Sequence, residues 1–411
     1  MLCLYVVLAC SSPNGEGSSE AVPSPDQTEL SALAEGDTEF ALGLFAQLGG
    51  EGVEENIFFS PFSISTALAM VHAGARGGTE TEMSEVLRFP LPADRVPGAF
   101  EALLDRLGPG GRGSFAHGEG DPLTLTIANA LWVERSYPLL DSYTGLADSC
   151  YGARASGLDF IGDPEGSGAA INGWVAERTG NRIRDLVPPG MIDEMTRLVL
   201  TNAVYFKASW LFAFDVHATA EGDFTTGSGD VVRVPMMHQT ERLAHSHTGG
   251  CRAVSLPYSD GSARMLILLP DGDLEAFERS LDTALLRTVT TSLTGGEVDL
   301  AMPRFEFTSS FSLVDALRRM GMERAFDRSA DFSGITGNRD LHISAVVHKA
   351  FVKVDESGTE AAAATAVMMA LGCAAPEPPF EMSLDRPFLF LVTDELTGSV
   401  IFMGRVSNPS E

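Results

Sequence analysis

The chain has 411 residues, 44% hydrophobic and 20% charged, enough to build one large core or two to three average domains. Asp and Glu number 56 against 28 Lys and Arg, a formal charge of −28. That balance argues against nucleic acid or any other polyanion as a partner.

The chain opens MLCLYVVLACSSPNGEGSSE. Its apolar run, 2–9, is far shorter than the roughly 20 residues a membrane-spanning helix needs, and it reads as the hydrophobic part of a secretion signal. VLAC (7–10) resembles a bacterial lipobox, in which Cys10 is lipidated and becomes the mature N-terminus. No Lys or Arg precedes the run, which departs from that pattern, and an ordinary signal peptide is the alternative. Residues 1–10 are therefore read as signal. Residues 11–36, rich in Ser, Pro, Gly and Glu, are read as a flexible tether. The expected location is extracellular or at the cell surface, on the outer membrane if Cys10 is lipidated.

From 37 to 411 no long linker or repeat interrupts the chain, so one domain is expected. FALGLFAQL (40–48) has helical spacing. NIFFSPFSISTALAMVHAGA (56–75) reads as a short strand, a Ser-Pro turn and a buried helix, with Pro61 in its first turn where an N–H is not needed. GTETEMSEVLRF (78–89) is an amphipathic helix with Thr79 as its cap. LTLTIANALWV (123–133) and MTRLVLTNAVYFKASW (195–210) are strands. AVSLPY and ARMLILLPD form two strands about an SDGS turn. SLVDALRRMGM (312–322) is a helix, and PFLFLVTDELTGSVIFMGRV (387–406) is a hairpin. Helices and strands mix without βαβ alternation, which predicts an α+β fold with mainly antiparallel sheets.

Motifs of catalysis are absent. GPGGRG (108–113) matches GxGxxG in form, but it follows the helical AFEALLDRL rather than a strand, so it reads as a surface loop. There is no HExxH, Walker A or GxSxG. His245 and His247 alternate on a strand as exposed residues, and His348, inside ISAVVHKAF, reads as a hydrogen-bonded core histidine. The five cysteines, Cys3, Cys10, Cys150, Cys251 and Cys373, show no metal-ligand spacing. Cys150 and Cys251 read as buried free thiols, with a disulfide left open, and Cys373 as exposed. No metal or cofactor is expected, and no enzymatic activity.

ESGTEAAAATAVMMALGC (356–373), followed by AAPEPP, is uncharged after Glu360 and nearly free of bulk. Taken as an extended strand at the centre of a sheet, such a segment would have to meet strict conditions. Every second side chain would then face the core and must be small or apolar, each N–H must be free to pair, and Pro must be absent. Thr359, Ala361, Ala363, Thr365, Val367 and Met369 fall on one face. Glu360 falls on the other, with Ala362 and Ala364. Gly358 permits backbone rotation that other residues resist. Pro376, Pro378 and Pro379 end the permissive stretch. A flexible loop or an alanine-rich helix is the bland alternative.

NIFFSPFSIS, GARGGTETEM, ANALWV, TNAVYFKASW, MGMERAFDRSADFSGI, LHISAVVHKAFVKVDESGTEAAAATAV, DRPFLFLV and FMGRVSNP occur in this order, and together they resemble the serpin family over nearly all of 37–411. The resemblance implies a metastable fold with three mainly antiparallel β-sheets and eight or nine helices. It also implies an exposed reactive-centre loop, about 356–380, that baits a protease. The implied partner is a protease held in a covalent complex by a monomeric inhibitor that has no catalytic residues of its own. Glu356 and residues 358–365 match the family's hinge. Ser60, Ser63, Asn202 and His348 match its shutter, the polar cluster where the main sheet opens, and Trp210 matches the breach, where the loop first enters. Counting Gly358 as the fifteenth residue before the cut places the reactive bond at Gly372–Cys373. Counting back from RPF by the shortest family loops points near Pro376, which chemistry disfavours; this loop is about four residues longer than those, so Leu371, Met369 and Cys373 are alternatives. Lys and Arg are absent between 354 and 385, so the expected target is elastase-, chymotrypsin- or subtilisin-like. A papain-like cysteine protease, or a non-inhibitory protein that is merely cleaved, are the alternatives. Arg76 and Arg88 face Glu80, Glu82 and Glu85 where heparin-binding members carry cations, so no polysaccharide cofactor is expected.

Overall fold

A computed structural model describes residues 25–49, 53–107, 123–359 and 378–410. The readings of Cys10, of GPGGRG, of Cys3 and Cys373, and of the loop from Glu360 through Ala364, Thr365, Met369, Leu371 and Gly372 lie outside them.

Among the described residues ten α-helices run in chain order: α1 Gln27–Leu48, α2 Pro61–Gly74, α3 Gly77–Val86, α4 Val96–Leu107, α5 Asp141–Tyr151, α6 Pro164–Arg178, α7 Leu274–Ser280, α8 Thr283–Thr291, α9 Val314–Arg319 and α10 Ser333–Thr336. The last two, with six and four residues, take the number past the expected eight or nine. Helix α1 begins inside the segment read as tether, because Asp26 caps it in a reciprocal box with Glu29. Helix α2 is capped by Ser60, whose Oγ accepts from Ser63 N–H, and Pro61 follows at the first position. Nearly all its residues are buried. Thr79 does not cap α3. It lies inside the helix, and its Oγ1 accepts from Asp331 N–H at 2.9 Å, tying the helix to a distant turn.

The fifteen strands are β1 Ile57–Phe59, β2 Thr124–Glu134, β3 Arg154–Leu158, β4 Leu198–Ser209, β5 Ala220–Thr225, β6 Val231–Thr248, β7 Cys251–Pro257, β8 Ala263–Pro270, β9 Thr294–Pro303, β10 Phe305–Ser312, β11 Ala345–Asp355, β12 Gly358–Thr359, β13 Phe380–Ser383, β14 Phe388–Asp394 and β15 Val400–Val406. Among the described residues the pairings join them into two hydrogen-bonded sheets where three were expected. One has nine strands in the order β1-β15-β14-β8-β7-β6-β9-β13, with β5 also on β6. The other has six, in the order β10-β11-β12-β4-β2-β3. The 18-residue β6 accounts for the difference. It pairs with β5 at its start, with β7 at its end and with β9 between, so it fuses strand groups that a shorter strand would leave apart. Most pairings are antiparallel. The parallel ones are β2–β3, β9–β13 and β4–β11.

One core joins α1, α2 and α4 to both sheets, with Phe40, Phe58, Phe62, Phe206 and Phe402 among its buried rings. A smaller one covers the other face of the six-stranded sheet, where Ile171 and Val175 of α6, with Ile183, Leu186 and Val187 beyond it, pack on Trp132, Val199 and Val347.

Candidate functional site

The centre of the six-stranded sheet has two different ends. Over Ala345–Phe351, β11 pairs directly and in parallel with Val199–Tyr205 of β4. Beyond that, β12 lies between the two strands. Gly358 and Thr359 pair with Ser209 and Ala208 on one side and with Asp355 and Val354 on the other, antiparallel to both. The slot is thus open by the length of two residues and closed along the rest.

Gly358 is required by its geometry. Its φ is +152°, and a Cβ there would meet the carbonyl oxygen of Ala208 at 2.1 Å. Thr359 is 2% exposed. Its hydroxyl shares a 2.9 Å hydrogen bond with Tyr258, whose ring stacks on Trp210 at 4.8 Å between centroids. Trp210 also fastens the turn before β12: its Nε1 donates to Asp355 O at 3.1 Å and its N–H to Ser357 O at 2.9 Å. Glu356 is 5% exposed and accepts from Arg304 Nε at 2.8 Å and from the Thr219 hydroxyl. Burial opposes ionisation of Glu356, but the Arg304 and Thr219 hydrogen bonds outweigh it and hold its carboxyl below the ordinary range. The hinge root is therefore anchored by an ion pair, an indole and a phenol.

Further along, where β4 meets β11, Asn129, Asn202 and His348 sit in one row as register partners across β2, β4 and β11. His348 Nδ1 donates to Asn202 Oδ1, and its Nε2 accepts from Ser60 N–H at 3.3 Å. Asn202 Nδ2 donates to Ser63 O at 2.9 Å and to Asn129 Oδ1. Ser60 Oγ donates to Ile401 O at 2.6 Å, which ties the row to the nine-stranded sheet. All five residues are buried. Burial pushes His348 down to about 3, so the ring is neutral. The four residues matched to the shutter are brought together, and Trp210 stands at the entrance. Asn129, Tyr258, Arg304 and Thr219 were not singled out in the sequence. Asn129 carried a signal, as an amide inside the apolar run TIANALWV needs a partner. The other three come from distant elements, and nothing local marks them.

The remaining candidates lead elsewhere. The His245 ring packs against Phe380 at 4.5 Å, and His247 pairs with Asp271 at 2.9 Å. Cys251 is buried, whereas Cys150 is only half-buried, since its Sγ faces Glu101 at 3.7 Å at the rim of a groove between α4, α5 and β2. The two thiols are free and unpaired with each other. Among the described residues no group of three or more His, Cys, Asp or Glu could hold a metal ion.

Residues 35–409 match the family model described as Serpin (serine protease inhibitor). A serpin-like protein of Thermococcus kodakarensis is 39% identical over 409 residues, covering 97% of this chain and 93% of that protein. The leukocyte elastase inhibitor of Bos taurus is 37% identical, covering 92% and 100%. Among solved structures, that of human thyroxine-binding globulin has a TM-score of 0.83 at 31% identity, covering 93% of this chain and 100% of that one.

Proposed function

Because this chain belongs to the serpin family, we propose that it inhibits a serine-type endopeptidase as a suicide substrate, completing an insertion that β12 has begun. The half-filled slot carries this reading. The two residues that lead the small, Pro-free segment already lie antiparallel between β4 and β11, and the residues after them keep a small or apolar side chain at every second position as far as Met369.

The protease serine attacks the carbonyl carbon of the reactive residue, taken as Gly372, with Leu371, Met369 or Cys373 as alternatives. The peptide C–N bond breaks, the new amine terminus leaves with the C-terminal segment, and an ester joins protease to loop. The freed loop then continues along the register set by Gly358 and Thr359, parting β11 from β4. Parting them breaks the His348–Asn202 hydrogen bond, so the buried polar row acts as the closure that must yield. The tethered protease is carried along and distorted before water can hydrolyse the ester. The chemistry belongs to the target, and this chain supplies the bait and the sheet.

The absence of Lys and Arg from 354 to 385 disfavours trypsin-like enzymes, whose acidic pocket requires a cation. An elastase-, chymotrypsin- or subtilisin-like target fits, and the name of the bovine relative supports the first. The protein acts as a monomer in a covalent one-to-one complex, without a polysaccharide. Incubation with elastase, chymotrypsin, subtilisin, trypsin and papain tests this. We expect a band resistant to SDS at the summed mass with one of the first three, and the mass of the released C-terminal peptide identifies the bond. Cleavage by all without such a band would leave a substrate, not an inhibitor.

For its place, we propose lipidation at Cys10, with Ser11 rather than Asp after it favouring outer-membrane sorting if the cell is Gram-negative. A single acyl chain holds a membrane only marginally, so the multiply acylated form is required. Fractionation of cells expressing wild type and Cys10→Ser should find the first with membranes and the second in the medium; equal release of both would remove the anchor.

A further inference from the structure

Tyr258 follows β7 in the nine-stranded sheet and is fully buried. Its position does not depend on the loop. The ring stacks on Trp210 and stands edge-on to Phe206 at 5.3 Å. Its backbone bridges to Trp210, and its N–H donates to Ala263 O at 3.0 Å. From this fixed seat the phenol reaches across to the six-stranded sheet and meets the Thr359 hydroxyl at 2.9 Å. Among the described residues, neither hydroxyl has another hydrogen bond in this structure.

Two buried hydroxyls that satisfy only each other form a matching condition. Removing one strands the other in an apolar site, whereas removing both is nearly neutral. Ordinary core packing imposes no such condition, since it would tolerate any side chain of the right shape at 359. We propose that Tyr258 is the positioning residue for loop entry: its hydroxyl holds Thr359 in the slot, fixes the register of everything that follows, and selects a hydroxyl-bearing side chain at the leading position. Its functional meaning rests on the loop-insertion reading, but the seating of the hinge is a property of the intact protein and can be tested without a protease.

The test uses the full chain as Tyr258→Phe, Thr359→Val and the double variant. Amide hydrogen exchange over 354–359 is read in the intact protein, and moles of inhibitor consumed per mole of trapped protease are read with the enzyme that forms a complex. Each single variant should speed exchange over 354–359 by about tenfold, as expected for one stranded hydroxyl, and should raise the consumption ratio severalfold. The double variant should return both towards wild type, which a merely structural role would not do. Wild-type exchange in Thr359→Val, or additive effects in the double variant, overturns the proposal even if Tyr258→Phe fails to fold. Coupled exchange without any covalent complex keeps Tyr258 as the hinge holder and rejects the inhibitory reading. Covalent complex with unchanged exchange does the reverse.

Discussion

Thr359 shows how one side chain decides the fate of the loop. It is the first residue of the permissive segment to turn inward: its hydroxyl meets the Tyr258 phenol, and its backbone pairs with a strand on either side. A cation placed there would be buried beside a phenol, at a cost of several kcal/mol. Thr359→Arg should therefore be cleaved as fast as wild type while covalent complex disappears, measured by SDS gels after equal turnover; undiminished complex would mean that 359 does not lead the insertion. His348 makes a prediction about pH. Burial lowers it to about 3 from an ordinary value of 6.5, so between those values the unfolded chain takes up a proton that the folded one refuses. Its share of stability is full above 6.5 and is lost as pH falls, by about 1.4 kcal/mol per pH unit. His72, lowered to about 4 by burial with a smaller push from Arg76, acts in the same sense. Asp37, raised to about 7 by burial, opposes them, because its carboxyl is easier to keep neutral as pH falls. Urea melts at pH 7 and pH 5 separate these effects: His348→Gln should lose less stability between the two than wild type does, and an equal loss would show that His348 is not held neutral.

Among the elements, the sequence made legible those whose signal is local. Ser60-Pro61 announced α2, the run MTRLVLTNAVYFKASW announced β4, and PFLFLVTDELTGSVIFMGRV announced the hairpin of β14 and β15. The α1 start was obscured by the polar residues around it, since a capping box at Asp26 and Glu29 looks like tether when composition is read alone. The two-sheet arrangement was hidden because it depends on how far β6 runs past its neighbours, a matter of pairing rather than of propensity. The slot shows the same division. The small face of the loop could be read directly, whereas the anchors of its root, Arg304, Thr219 and Tyr258, lie on other elements. Across the closed part of the slot, the segment after α6 acts as a strap: Lys349 of β11 donates to Asp185 O at 3.1 Å, and Arg182 lies over the Tyr205 ring of β4 at 5.6 Å. If β12 is the start of a longer strand, cleavage within 368–375 should extend amide protection from 359 through 369. Hydrogen exchange of intact and cleaved protein, followed by peptide mass, would show it; protection that stops at 359 in both would leave β12 as a static two-residue strand.

For the whole molecule, the proposed mechanism requires an intact fold that is not the most stable one this chain can reach. The closed part of the slot is held by direct β4–β11 pairing and by the buried Asn129–Asn202–His348 row. A strand continuing from 360 to 369 would give both neighbours a full antiparallel partner. Each added hydrogen bond contributes only about 0.5–1.5 kcal/mol net, but a whole strand of them, with β11 and β4 each gaining an antiparallel neighbour in place of a parallel one, should exceed what the lost pairings hold if insertion occurs. The most direct measurement is thermal unfolding of the intact protein beside the same protein nicked once within 368–375, with both fragments retained. A rise in Tm on the order of 10 °C or more is expected after the cut; an equal or lower Tm for the nicked protein would rule out loop insertion.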